Sequence, residues 1–559
     1  VLFIAFCALS LTVWAAEWQL CWLNPCVWAL SDDFSNFRVF RSVAWMRFTW
    51  LLTLAGVWTV SYLCIRQYGK GVFGSLARST RRLYRPVIAL ALLACSGTAY
   101  AAQPFIDRSN PDLTVMSFYE IPYAEGVTFV RRTAQVFPDT DAGTVTGRAS
   151  YQFQNTSGQE QSVSFGINPG YTISNVKANG ADVPFTVSDY QEYNEARLEV
   201  TIPAEEEVEL TMEYSGFPQE SLPTMQGGKE LSREYLCLEN SALSPRVMNV
   251  MPGDAGYPAE IEITLPENML AIPFGSSAAE VVAEHEDGTR TWRYEHNGAG
   301  GILYAGDYIR EDIEAGGMTI EFYYGRKHQA VMEAAEAVDA VKEVVDYCTE
   351  HYGSLSFGTG ETLKLIQSRV AGGGYATTGA SLLDEADFTA ANLGNAEKGG
   401  GAGEVMIHEL VHQWWGLGNM FDPSEPTSPW SAEGLTVYTT YRIVKELYGE
   451  DYAQEHYVDQ WQKAVDDYYL NFYVRNPEYL EMLPEQVQLA ISNSLSQVRQ
   501  YNEMPLKIWK AEQLVGGEQA MDTILNSLFN RELDPMYPYL SYQDFLEACG
   551  LKEEDLNLA

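Results

Sequence analysis

At 559 residues the chain is long enough for three or four folded units, and its 46 % hydrophobic residues supply cores that disordered chains lack. Its 36 Lys+Arg against 75 Asp+Glu leave a formal net charge of −39, which excludes recognition of nucleic acid through the phosphate backbone. The charge is unevenly divided: residues 1–102 hold nine basic and three acidic side chains, net +6, and the remaining 457 hold 27 and 72, net −45.

The basic first part reads as transmembrane helices. Val1–Ala16 is apolar and begins without Met, as the cut end of a span of something longer would. Phe48–Ile65 is an uncharged run of 18 residues and Pro86–Ala102 a second run, each near the shortest length that spans a bilayer. Between them lie Arg66, Lys70, Arg78, Arg81, Arg82 and Arg85 without one acid. Positive charge marks the cytoplasmic side, so everything from Gln103 onward is expected outside the cytoplasm. Arg81–Arg85, the apolar Val87–Ala94 and Ala99-Tyr100-Ala101 also match a secretory signal with a cleavage site, and Leu92–Cys95 approaches a lipoprotein box. Both readings export the acidic part; a retained span is expected because other spans precede it. Five of the eight cysteines (Cys7, Cys21, Cys26, Cys64, Cys95) fall in this first part, so Cys237, Cys348 and Cys549 form neither a disulfide framework nor a Cys-x-x-Cys metal site.

From Val127 to Tyr324 the pattern is β. Thr128–Phe137, Gly147–Phe153, Ser162–Gly166, Arg197–Ile202, Val208–Tyr214, Ala259–Leu265, Arg290–Glu295 and Met318–Tyr324 are short alternating or β-branched runs. Turn residues such as Asn155–Gly158 and Asn179-Gly180 separate them, predicting a sandwich-like domain. After Gly325 the period changes. Val331, Ala334, Ala335, Val338, Val341, Val344 and Val345 predict one amphipathic helix over Ala330–Tyr352. Thr362–Ile366 returns to strand, glycines follow at 372–374 and 399–403, and Glu404–Gly416 reads as a compact helix with an acid in its first turn. From Ser431 onward helical patterns dominate.

The sharpest signal is His408-Glu409-Leu410-Val411-His412. Residues four apart share a helix face, so His408 and His412 can aim at one metal ion, with Glu409 beside it where a carboxylate can take a proton from water held there. Two His leave a catalytic zinc one ligand short. Downstream acids that could complete it are Asp422 and Glu425, among prolines in a loop, and Glu433, at the start of a helix expected over Glu433–Leu447.

These residues resemble a family. His408-Glu-Leu-Val-His-Gln-Trp-Trp-Gly416 followed by Trp430-Ser-Ala-Glu-Gly434 is similar to the zinc-binding motif pair of gluzincin metallopeptidases of the aminopeptidase N and leukotriene hydrolase type. The resemblance implies a thermolysin-like α+β zinc domain, one zinc ion held by His408, His412 and Glu433, and Glu409 as general base. Twenty residues separate His412 from Glu433, two more than in the family, and read as an insertion in the Pro-rich loop. Tyr501, leading a helix that runs to Gly516-Gly517, takes the place of the family tyrosine that stabilises the oxyanion. The Lys-Gly that follows this tyrosine in the family is absent.

The substrate edge differs more. Where the family has Gly-x-Met-Glu-Asn, whose Glu binds a substrate's free amine, this chain has Gly373-Gly374-Tyr375-Ala376-Thr377, with Ala376 in the place of that Glu. The edge Gly372, Gly373, Gly374, Tyr375 and Ala376 is expected to pair with an extended peptide backbone but not to anchor its amine.

The expected organisation is transmembrane helices over 1–102, a β-sheet domain over 103–325, a zinc-binding catalytic domain over 326–450 and a helical part over 451–559. Membrane spans followed by such a domain also resemble permeases of ATP-binding-cassette transporters with a fused peptidase ectodomain. The resemblance implies a membrane-tethered zinc peptidase acting on peptides, with an ATP-binding transporter subunit as a partner. The alternative is a permease subunit whose ectodomain binds peptides with little or no cleavage.

Overall fold

The computed structural model describes residues 31, 33–34, 36–65, 69–102, 121–192, 195–218, 231–334, 336–355, 362–369, 374–388, 403–417, 430–532 and 539–558. The expectations for Val1–Ala16, Gly372, Gly373, Asp422 and Glu425 lie outside these residues. The chain divides into two compact units, residues 1–271 with 280–306, and residues 272–279 with 307–559.

In the first unit, helices Phe37–Leu63 and Tyr84–Ala101 pack along a seam of small residues. A Cβ on Gly56 would come within 2.6 Å of Leu93 Cδ2, Trp45 Nε1 donates to Ala99 O at 2.8 Å, and the Thr53 and Ser96 hydroxyls lie 2.5 Å apart. Leu51, Val57, Trp58 and Leu90 are exposed. No single described helix is long and apolar enough to cross a membrane. Trp, Thr, Ser and Tyr dilute the first helix, and Tyr84, Arg85 and Pro86 open the 18-residue second. Phe73–Thr80 with Tyr84–Ala101, bent by 92°, passes that test only as a pair.

The remainder of this unit is β. Strands Val127–Asp139, Thr144–Asn155 and Glu207–Gly216 form the middle of a nine-stranded sheet, and Gln161–Ile167 and Glu195–Ile202 the middle of a four-stranded one. Alternating residues of Thr144–Asn155 and Glu207–Gly216 are buried, the signature of a sheet with one covered face. Tyr151 and Phe153 of the larger sheet meet Phe165 of the smaller at ring separations of 4.8 and 6.4 Å, so the two sheets form a sandwich.

The second unit is built on a five-stranded sheet in the order Tyr308–Ala315, Met318–Gly325, Leu363–Ser368, Ala380–Asp384, Gly374–Thr377. The middle three strands run parallel, and the outer two are antiparallel to their neighbours. Every residue of Leu363–Ser368 and Ala380–Asp384 is buried, as strands covered on both faces must be. Helices supply the cover, and one core unites Phe322, Leu365, Val341, Val344, Leu410, Trp414, Leu435 and Tyr438.

The single helix expected over Ala330–Tyr352 is in fact two, Gln329–Ala334 and Ala337–Tyr352, with Glu336 left-handed at φ 53°. A straight helix would put Met332 about 140° round from Ala337. The break lets both of them, 3 % and 0 % exposed, enter the same core.

Candidate metal centre

The two histidines reach the site on helix Gly403–Val411 and its last turn, where His412 N–H still bonds His408 O at 3.1 Å. The helix is shorter than the expected Glu404–Gly416. Its end is fixed by two indoles, Trp414 Nε1 donating to Gly353 O at 2.8 Å and Trp415 Nε1 to Thr439 Oγ1 at 3.0 Å. Gly416 then turns the chain at φ 84°, where a Cβ would lie 3.0 Å from Ala432 Cα. Left-handed backbone and close approach both favour glycine there, and the contact brings the His helix against the residue that precedes Glu433.

Glu433 opens helix Glu433–Tyr448. Its Oε2 lies 3.2 Å from His408 Nε2 and 3.6 Å from His412 Nε2, and the three ligand atoms fall within 4.8 Å of one another. Two ligands about 2.05 Å from a tetrahedral zinc are roughly 3.3 Å apart, so the spacing fits that ion. The donor set of two imidazoles and one carboxylate fits it too. Glu433 Oε2 is buried and receives no hydrogen bond among the described residues. A buried acceptor left unpaired is costly, and a cation between the three groups removes that cost.

The surroundings orient these groups. His412 Nδ1 is 3.3 Å from Trp415 O and 3.2 Å from Thr436 Oγ1. Donation from Nδ1 to the carbonyl leaves the Nε2 lone pair facing Glu433 and His408. Burial holds His408 below its usual pKa, while His412 is raised, the Glu433 carboxylate outweighing burial. Burial alone would raise Glu433, but the two imidazoles hold it well below the carboxylate range. Beneath the helix, Arg442 is buried between Asp522 (3.1 Å) and Glu512 (3.5 Å), and Tyr438 donates to Glu512 at 2.6 Å. A cleft of about 790 Å³ opens on that face, lined by Glu350, His351, Lys445 and Glu518, and contains none of the three ligands.

Glu409 is 6 % exposed, and burial pushes its carboxyl up to about 7. Its side chain fills the space beside the edge strand Gly374–Thr377, where a Cβ on Gly374 would lie 2.3 Å from Glu409 Cγ and 2.7 Å from Oε1. Side chains alternate along a strand, so Ala376 shares the face of Gly374 and Tyr375 points the other way. Tyr375 is exposed and its ring lies 5.8 Å from that of Phe274. Tyr501 sits on a π-turn, Arg499–Glu503, with its ring 6.3 Å from the His408 ring. Burial, reinforced by Glu433, raises its hydroxyl pKa. Glu503 anchors the turn through Arg499 at 2.9 Å, Lys507 at 3.4 Å and Tyr469 OH at 3.2 Å.

The structure thus brings together His408, Glu409, His412, Glu433, Tyr501 and the described edge residues Gly374 and Ala376. It adds supports that the sequence reading missed. Thr436 is findable as one helical turn beyond Glu433, whereas Glu503 and Ser381, whose hydroxyl donates to Glu409 O at 2.7 Å, carry no sequence signal.

No protein-family model matches the chain, and no curated protein matches it. Among solved structures it is similar to an M1 zinc metallopeptidase from Deinococcus radiodurans, at 17 % identity over 78 % of this chain and 92 % of that one, with TM-score 0.47. It is also similar to a mutant of that protein bound to a Tyr-Ser-Ala substrate, at 16 % identity over 78 % and 93 %, TM-score 0.47. A third likeness is to native yeast LTA4 hydrolase, at 13 % identity over 76 % and 65 %, TM-score 0.47.

Proposed function

We propose that this chain is a zinc-dependent peptidase, tethered to a membrane with its acidic part outside the cytoplasm and working beside an ATP-driven transporter subunit. The observation that carries the peptidase reading is the convergence of His408, His412 and Glu433 next to a buried carboxylate that packs against the edge strand Gly374–Thr377. Zinc, held by those three side chains, would supply a Lewis acid that polarises the scissile carbonyl and acidifies water.

The chain's own groups do the remainder. An extended peptide pairs through its backbone with the outer side of Gly374–Thr377, which no described strand occupies. Glu409, kept out of bulk water, takes the proton of the attacking water and hands it to the leaving amine nitrogen. Tyr501 donates its hydroxyl proton in a hydrogen bond to the developing oxyanion, and its raised pKa keeps it a donor at neutral pH. The basic segment Lys70–Arg85 and the exposed apolar residues of the helices Phe37–Leu63 and Tyr84–Ala101 support the tether. Protease added to intact cells should digest the acidic part; a protected acidic part contradicts the placement.

A second reading, peptide binding with little cleavage, is favoured by Ala376, which offers a methyl where a carboxylate would hold a free amine. One experiment separates the two: exposure of the zinc-loaded full chain to a mixed peptide library, with Glu409→Gln as control. Cleavage by the parent and loss of at least 100-fold in the variant support hydrolysis. Retained binding without cleavage in the parent supports the second reading.

A further inference from the structure

The carboxamide of Gln413 lies one residue past the second histidine and is 2 % exposed. Among the described residues, all of its hydrogen bonds go to the hairpin that carries the edge strand. Its Oε1 accepts from Gly379 N–H at 2.9 Å, and its Nε2 donates to Thr377 O at 2.9 Å and to Ser381 Oγ at 3.2 Å. The Ser381 hydroxyl, itself fully buried, donates onward to the backbone carbonyl of Glu409 at 2.7 Å. One amide side chain therefore bonds both sides of the hairpin turn and, through Ser381, the peptide unit of the general base.

The turn is held from elsewhere too, Lys364 N–H donating to Gly379 O at 3.0 Å, but among the described side chains Gln413 is the one that ties it to the metal helix. Among the described residues, the four-residue edge strand Gly374–Thr377 pairs with Ala380–Asp384 alone. The turn also rests on residues 272–279: a Cβ on Gly379 would lie 2.5 Å from Ser276 Cα, and Lys364 Nζ holds Gly275 O and Ser277 O at 2.6 and 2.8 Å. At the far end of the strand, Gly374 touches the Glu409 side chain. The edge is thus registered against the base at two points, contact at Gly374 and the carboxamide at Gln413.

We propose that Gln413 is a positioning residue that locks the substrate-pairing edge to the metal helix, so that a peptide laid on the edge arrives with its scissile bond at Glu409. The role rests on the peptidase reading above. It assigns Gln413 neither to the metal nor to the reacting atoms. Leucine at this position keeps the volume and the burial and removes both bonds to the turn.

The test uses zinc-loaded full chain, with Gln413→Leu and Ser381→Ala as variants. Both should keep zinc at the parent's stoichiometry, while the Gly379 amide of Gln413→Leu exchanges with solvent faster than the parent's. A loosened edge forfeits two or three backbone hydrogen bonds to the peptide, each worth about fivefold, so kcat/KM for a six-residue peptide should fall roughly 100-fold in Gln413→Leu. Most of the loss should be in KM, and a single-residue amide, too short to use the edge, should be cleaved almost as by the parent. Ser381→Ala, which leaves the bonds to Gly379 and Thr377 in place, should show the same direction at smaller size and keeps the test open where Gln413→Leu fails to fold. Equal losses for the long and short substrates, or parent-like KM in both variants, would overturn the proposal. A parent that binds the six-residue peptide but cleaves nothing defeats the peptidase reading alone, since the variants' weaker peptide binding and faster Gly379 exchange remain measurable.

Discussion

Gly374→Ala isolates the contact between the strand edge and the general base. Glycine has no conformational role at this position, because its φ lies outside the left-handed region that side chains avoid. The added methyl would lie 2.3 Å from Glu409 Cγ, 2.6 Å from Cδ and 2.7 Å from Oε1. Carbon atoms settle at about 3.5–4.0 Å, so the carboxylate must retreat by about 1 Å or more or change rotamer. The clash is with a flexible side chain and not with backbone. Stability should therefore stay within about 1 kcal/mol of the parent, with alanine's better strand entropy offsetting part of the strain. The base, however, leaves its line to the attacking water, and kcat should fall about 100-fold, or roughly 2.7 kcal/mol of transition-state stabilisation. The assay is kcat on a fixed peptide with zinc content and thermal midpoint measured on the same preparation. Parent-like kcat at full zinc would show that Glu409 does not act from the position seen here. A loss of zinc together with activity would show that the strand supports the ligands and not the base.

Three other outcomes follow from named contacts. Arg442→Met should destabilise the fold by roughly 3–5 kcal/mol in denaturant titration, because Asp522 and Glu512 lose their buried counter-charge; a change under 1 kcal/mol would mean that the neighbouring Lys445 and His351 suffice. His351 bonds Asp522 at 2.8 Å, which raises the imidazole pKa, whereas Asp522 is lowered because His351 and Arg442 outweigh its burial. The stabilisation from His351 is complete below about pH 6.5 and is lost as pH rises through the raised value, and that from Asp522 is lost only in acid as pH falls through its lowered value. The thermal midpoint should thus fall more between pH 6 and pH 8 in the parent than in His351→Gln, and equal falls would contradict the pairing. N-acetylated and free peptides should be bound or cleaved about equally, because Ala376 provides no charge for an amine; competition between matched pairs tests this, and a strong preference for the free amine would mean that another acid serves the site.

The chemistry was more legible in the sequence than its supports. Four-residue spacing places His408 and His412 on one face whatever surrounds them, so the pair could be read locally. Glu433 came through resemblance, since its approach to the histidines depends on the tight turn at Gly416 against Ala432. Strand Tyr308–Ala315 was missed because Arg310, Glu311 and Asp312 mask its alternation, charges that suit the edge of a sheet. Met318–Tyr324 reads as one more strand of the β stretch, yet it pairs with Leu363–Ser368, a partner some forty residues on that no local pattern specifies. Glu336 breaks a helix whose period runs on without a proline or glycine, because only the tertiary core requires Met332 and Ala337 to meet. Gln413 and Ser381 are ordinary polar residues in sequence, and only the fold sets them between the base and the strand edge.

The central claim is a metal centre of two imidazoles and the Glu433 carboxylate, and metal analysis tests it most directly. After dialysis against a weak chelator, the full chain should keep one zinc per molecule, Glu433→Ala should lose most of it, and Glu425→Ala should keep it. A Glu433→Ala protein that retains stoichiometric zinc, with the loss appearing instead in Glu425→Ala, would contradict the account.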